Sequence, residues 1–309
     1  MARYLWQRAV SILLVLWVVV TATFLLMHAI PGGPFTAEKA LPKAILENIE
    51  ARYRLNDPLW KQYLDYLGNL LRWDLGPSFK YQGRTVNQII NEGFPVSAAL
   101  GTVAILFAVG VGISAGVMAA LRRGCWEDYA AMFLATLGYS IPSFILATLL
   151  MYVFAFKLRW FPPALWGTPS HLVLPALSLA GLPTAFIARL TRSSMLEVLG
   201  QDYIRTARAK GLSERVVIFR HALKNAVMPV VTYLGPLAAM ILTGSFVVET
   251  IFAIPGLGRY YVTSIYNRDY TTILGVTVFY SLLVVGFNLA VDLLYGVLDP
   301  RIKYGEGKE

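Results

Sequence analysis

The chain has 309 residues, 57% hydrophobic and 15% charged, with a formal net charge of +9 and a mean hydropathy of +0.58. That balance excludes an ordinary soluble domain and points to an integral membrane protein. A single cysteine, Cys125, excludes an internal disulfide and a cysteine-based metal centre.

Six stretches free of Asp, Glu, Lys and Arg exceed the roughly 20 residues a helix needs to cross a bilayer. They lie between Arg8 and Glu38, Glu92 and Arg122, Asp128 and Lys157, Arg159 and Arg189, Lys224 and Glu249, and Asp269 and Asp292. Backbone polar groups in lipid must be satisfied internally, and no alternating barrel pattern is present. The expected fold is therefore an all-α integral membrane protein with six transmembrane helices. Arg3, Arg8, Arg122, Arg123, Arg189, Arg192, Arg301, Lys303 and Lys308 fall on one side with a basic central stretch, against Lys157, Arg159, Arg259 and Arg268 on the other. This bias predicts cytosolic N- and C-termini.

The first span, within residues 1–30, reads as an uncleaved anchor, because no small-x-small cleavage site precedes Pro31. Residues 31–95 are expected to form a periplasmic helical cap. Ile45, Ile49 and Tyr53 make an apolar stripe there, read as core or membrane face in preference to a ligand site. Asp57 and Pro58 suit the N-cap and first position of a second cap helix, which Gly76-Pro77 ends. The remainder, 96–309, is expected to be a five-helix transmembrane core with a cytosolic loop at 202–226.

Gly101, Gly110, Gly112 and Gly116 dot the second span, and Gly112 and Gly116 form a small-xxx-small pair suited to close helix packing. Pro142 in the third span and Pro175 and Pro183 in the fourth predict kinks or breaks. Static kinks and a cavity lining both fit. Arg189 and Arg192 lie near Glu197, which suggests interfacial snorkelling and a local ion pair. Asp292, one turn from Asn288, stands as the only candidate for an intramembrane acid. Its expected partner is one of these arginines or another subunit.

The central stretch, Asp202–Pro229, carries Arg205, Arg208, Lys210, Arg215, Arg220 and Lys224. Asp202 is expected to cap a short helix running to about Lys210, and Gly211 suits the left-handed residue that ends it. Ser213 can cap a second helix, with Glu214 favouring its dipole. The stretch reads either as a docking surface or as a basic face near anionic headgroups.

The segment Glu249–Tyr270 contains a turn at Pro255, Gly256 and Gly258, followed by Arg259 and Tyr260 and later by Asn267, Arg268 and Asp269. Catalysis finds no support. There is no phosphate-binding loop and no serine elbow, and His28, His171 and His221 are scattered. Nor do deep acids or repeated halves suggest a secondary carrier.

RTARAKGL followed by RHALKNAVMP resembles the "EAA" loop of ABC-importer permeases in its peptide-type variant. Thr206 and Ala207 match the two alanine positions and Gly211 the glycine, while Arg205 replaces the usual glutamate. PGGPFTAEKALP, NIEARYRLNDPLWKQYLDYL, DLGPSFKYQGRTVNQII, VVETIFAIPGLG and NRDY extend the resemblance to the oligopeptide-permease family over nearly the whole chain. The resemblance implies the type I importer permease fold in a bacterial inner membrane and a non-catalytic subunit without a cofactor. ATP and Mg would be bound by two partner ATPases. A second homologous permease, a periplasmic peptide-binding protein and a peptide substrate complete the implied assembly, with no nucleic acid. It implies ATPase coupling through Arg205, Thr206, Ala207, Arg208, Ala209, Lys210, Gly211 and Leu212. It also implies a periplasmic gate or substrate-facing role for Pro255, Gly256, Gly258, Arg259, Tyr260, Asn267, Arg268 and Asp269. The alternatives are a secondary carrier or channel for small solutes, or a dipeptide, nickel or glutathione ABC permease.

Overall fold

A computed structural model describes residues 2–30 and 54–298. Among them the helices are α1 (Ala2–Ala29), α2 (Leu59–Leu71), α3 (Val86–Leu121), α4 (Trp126–Ser140), α5 (Ser143–Leu150), α6 (Pro169–Leu199), α7 (Asp202–Ala209), α8 (Glu214–Val216), α9 (Leu223–Ala226), α10 (Met228–Leu242), α11 (Phe246–Ile251), α12 (Leu257–Asn267) and α13 (Tyr270–Leu298). Two π-helical turns, Met151–Lys157 and Val217–Ala222, interrupt the α geometry.

Trp6–Ala29, Val86–Leu121, Pro169–Leu199, Met228–Ile251 and Tyr270–Val291 are each long and apolar enough to cross a membrane. The sixth expected span is α4 plus the stretch Ser143–Lys157, made of α5 and the first π-helical turn, with a bend of 107° between the two parts. Pro142 explains the bend. The residue before a proline is pushed out of the helical region, and Ile141 sits extended at φ −86°, ψ 118°. Pro175 and Pro183, by contrast, lie inside an unbroken α6. Of the expected breaks, only the one at Pro142 forms.

α3 starts earlier than expected. A capping box closes its end, with Gln88 N–H donating to Thr85 Oγ1 (3.2 Å) and Thr85 N–H to Gln88 Oε1 (2.9 Å). The boundary expected at Pro95 therefore falls within one continuous helix. In α2, Pro58 and not Asp57 occupies the cap position, and the helix stops at Leu71, before Gly76-Pro77. The stripe of Ile45, Ile49 and Tyr53 lies outside the described residues.

α3 and α6 form the central pair and run in the same direction, as the second and fourth of six spans must. Gly112 lies on Thr184 and Ile187, and Gly116 on Ala188 and Thr191. A Cβ on Gly116 would come within 2.5 Å of the Ala188 carbonyl oxygen, so the backbones meet where only hydrogen fits. Gly110 faces open space and takes no part in this contact.

The arginines of α6 do not pair as expected. Arg192 forks onto Asp128 of α4 (Nε–Oδ1 2.6 Å, Nη2–Oδ2 2.8 Å) instead of Glu197, and Asp128 is only 3% exposed. Arg189 lies over the Tyr139 ring at 4.5 Å. Asp128, Glu249 and Asp269 are all buried, so Asp292 is not the only acid inside the protein; its own side chain lies outside the description.

Candidate functional site

Two regions at opposite ends of the α3–α6 pair hold the residues of interest. At one end, α7 ends as the sequence predicts. Gly211 adopts φ +77°, its N–H donates to the Arg208 carbonyl (2.9 Å), and the Leu212 N–H donates to that of Ala207 (3.4 Å). Asp202 sits in the first turn while Gln201 takes the cap position. Ser213 occupies the next cap position, without a side-chain bond. Arg208 forks onto Glu214 (2.8 and 3.3 Å), and the Asn225 amide donates to the Tyr203 hydroxyl (2.8 Å), so the two halves of the elbow are tied together.

The inward face of this elbow is Ile204 and Ala207, packed on Ala120, Met195, Val217, Ala222 and Ala226. Ala207 is 5% exposed, so it supports the elbow from inside and presents nothing outward. Its placement on an ATPase-facing surface is thereby corrected. The outward face carries Arg205, Thr206, Arg208, Ala209, Lys210, Gly211 and Leu212. Beside them Phe219 is 64% exposed, an apolar anchor that sequence reasoning did not single out. It follows the start of the π turn, which shifts the register of the outward side chains.

At the opposite end, the glycine turn proves to be a cage around Glu249. This side chain has 0% exposure. Ser97 of α3 donates its hydroxyl to Glu249 Oε1 (2.7 Å) and accepts the Leu257 N–H (2.9 Å), while the Arg259 N–H donates to Oε2 (2.9 Å). Gly244, Gly256 and Gly258 surround the carboxyl group. A Cβ on Gly256 would overlap its carboxyl carbon, and one on Gly244 would sit 2.5 Å from Oε1. Gly244 also holds φ +94°. Gly93 of α3 lies against the Leu257 backbone, where a Cβ would meet Cα at 3.1 Å. The carboxylate thus neutralises the amino end of α12 and fixes it to α3. The Glu-x5-Pro-Gly-x-Gly spacing was the available signal, but periodicity cannot reveal that the glycines serve the acid.

Asp269 acts similarly at the far end of α12. Arg268 turns left-handed at φ 56°, and the buried Asp269 carboxylate then accepts from Ser78 Oγ, Phe79 N–H (3.1 Å), Thr272 Oγ1 (2.8 Å) and Thr272 N–H (3.3 Å). It clips the hairpin around Pro77 and Thr85 to the start of α13. Of the expected substrate-facing residues, Asp269, Gly256 and Gly258 are therefore interior. Pro255, Arg259 and Tyr260 are brought together around one recess with Tyr81 and Thr263, while Asn267 and Arg268 lie at the other end of α12.

The family described as "Binding-protein-dependent transport system inner membrane component" matches residues 112–304, and the family of its N-terminal portion matches 1–101. The chain belongs to this family. The dipeptide transport system permease protein DppB of Bacillus subtilis is 56% identical over 303 residues, 98% of each chain. The oligopeptide transport system permease protein OppB of Salmonella typhimurium is 48% identical over 306 residues, 98% of this chain and 100% of the relative. Among solved structures, a chain of the MetNI methionine ABC transporter in an inward-facing conformation superposes with a TM-score of 0.52. It is 20% identical and covers 69% of this chain and 97% of that one, which shows a shared fold. The protein is thus a multi-pass inner-membrane transport component. It carries no chemistry or cofactor of its own and works with an ATPase and a binding protein.

Proposed function

We propose that the chain forms half of the membrane pathway of an ATP-driven peptide importer, paired with a second, homologous permease and driven by two ATPases. The observation that carries this reading is the whole-chain match to permeases named for dipeptide and oligopeptide transport. Both names occur, so the cargo is read as peptides without a fixed length. The elbow at 202–226 supports ATPase docking: it is rigidified by the Arg208–Glu214 and Tyr203–Asn225 contacts and presents cations around an exposed phenylalanine. The elbow end is assigned to the cytosol, following its basic residues. The Glu249 end then faces the periplasm, where a peptide-binding protein docks. In this reading ATP binding closes the ATPases, the elbows follow, and the pathway changes the side to which it opens.

Uptake of labelled peptides into proteoliposomes holding both permeases, the ATPases and loaded binding protein tests the proposal. Uptake is expected only with ATP, and should survive collapse of the proton gradient. Uptake by this chain alone without ATP would replace it with a carrier or channel. Sidedness is checked in a Cys125→Ser background: an impermeant thiol reagent should label Gln82→Cys from outside and leave Ser213→Cys unlabelled. The reverse pattern would overturn the assignment.

A further inference from the structure

Above the Glu249 cage, Tyr81, Pro255, Arg259, Tyr260 and Thr263 wall a recess of about 270 Å³. Arg259, Tyr260 and Thr263 come from α12, and the Tyr81 ring meets that of Tyr260 edge-on at 5.5 Å. The Tyr260 hydroxyl accepts from Arg84 Nη1 (3.3 Å), which leaves its own proton to donate elsewhere. Burial foremost, then Tyr260 and Asp269, push the Tyr81 pKa up against the opposing pull of Arg259 and Arg84, so this hydroxyl also remains a donor.

The acids around the recess are committed. Glu92 pairs with Arg84, Asp269 is taken by Ser78, Phe79 and Thr272, and Glu249 lies beneath, holding the backbone N–H of Arg259 at 2.9 Å. The Arg259 side chain is exposed, and no carboxylate among the described residues pairs with it. One unpaired guanidinium and three hydroxyls therefore face a small recess whose backbone is fixed from below. A guanidinium fork matches a planar carboxylate in two-point geometry. The volume lies below the roughly 300–1,000 Å³ of ordinary ligand pockets, so it suits the end of a chain better than a folded loop.

We infer that this recess receives the C-terminal carboxylate of the transported peptide. The inference rests on the peptide-import reading. Every unblocked peptide ends in that group whatever its sequence, so a handle on it recognises cargo without selecting side chains.

The test uses the complete transporter in proteoliposomes and one labelled peptide in two forms, free acid and C-terminal amide. Each is delivered on binding protein whose loading is measured separately and brought to saturation. The readout is the ratio of initial ATP-dependent uptake rates, acid over amide. Wild type is expected to favour the acid about tenfold, the scale of one charge-assisted hydrogen-bonded contact. Arg259→Gln should bring the ratio to about one, and Arg259→Lys should retain part of it, since the charge persists without the fork. A wild-type ratio near one overturns the inference. So does an unchanged ratio in Arg259→Gln, and if acid and amide slow together there, Arg259 serves the binding protein instead. No ATP-dependent uptake of either form by the wild-type complex would sink the import reading itself, and the inference with it.

Discussion

Ser97 and Glu249 are 152 residues apart in sequence, yet the serine hydroxyl donates to the carboxylate over 2.7 Å in a buried contact. Because Ser97 also accepts the Leu257 N–H, one small side chain of α3 joins α11 to α12. Glu249→Gln keeps an acceptor oxygen but turns an amide N–H2 toward a site built from donors. Leaving a buried donor unpaired costs about 1–3 kcal/mol, so both Glu249→Gln and Ser97→Ala should lower the unfolding temperature in detergent. The glutamine variant should lose more, because it replaces attraction with an opposed pair of donors. Equal or negligible losses would mean that the cage does not hold α12.

Gly116 and Gly110 are both in α3 and nearly indistinguishable by sequence. Gly116→Ala forces a methyl group against the Ala188 carbonyl and Thr191, whereas Gly110→Ala meets nothing within 4 Å. Overpacking of this kind costs about 1–3 kcal/mol, so Gly116→Ala should lower thermal stability and Gly110→Ala should not. If the two variants melt together, the α3–α6 approach is looser than described.

The Asp128–Arg192 fork predicts a particular pattern of coupling. Removing either partner strands the other charge in the protein, whereas removing both replaces the pair with packing. Asp128→Leu and Arg192→Met should each reduce folded yield more than the double variant does. Folded yield is measured by size-exclusion chromatography of detergent extracts. A double variant as poor as the sum of the singles would mean that the residues act independently.

The parts legible in the sequence were those fixed by local chemistry. Span count follows from charge-free length, the Pro142 break from the steric rule for the residue before proline, and the turn at Gly211 from its place between two helical runs. What escaped was long-range pairing. Arg192 has Glu197 close by in sequence and Asp128 64 residues away, and only the packing of α4 on α6 makes the distant acid its partner. The same holds for Glu249 and Asp269, which appear in sequence as loop charges and in space as buried hubs. Ala207 carries the family motif, but burial turns it inward and leaves the outward surface to its neighbours and Phe219.

The elbow offers a test that separates backbone geometry from side-chain bulk. Gly211 sits at φ +77° with nothing within 4 Å of an added Cβ, so the backbone conformation and not crowding at Cβ discriminates. Asparagine tolerates this left-handed conformation and a β-branched residue does not. Gly211→Asn should therefore keep ATPase attachment, and Gly211→Val should lose it by tilting α8 away from α7. Ala207→Arg cannot serve as a surface probe, because its side chain would enter the packing around Met195 and Val217 and unseat the whole elbow. Phe219→Asp is the proper surface variant, since 64% of that residue is already in contact with solvent. Lys224→Gln, an exposed residue at the far end of the elbow, is the mild control, because a single exposed charge contributes little. The measurement is co-purified ATPase per permease in mild detergent, with membrane content quantified alongside. Gly211→Val and Phe219→Asp should reach the membrane at wild-type levels and recover little ATPase, while Gly211→Asn and Lys224→Gln recover most of it. Wild-type recovery in both Gly211→Val and Phe219→Asp would leave the elbow as a basic surface near lipid and move ATPase coupling elsewhere on the chain.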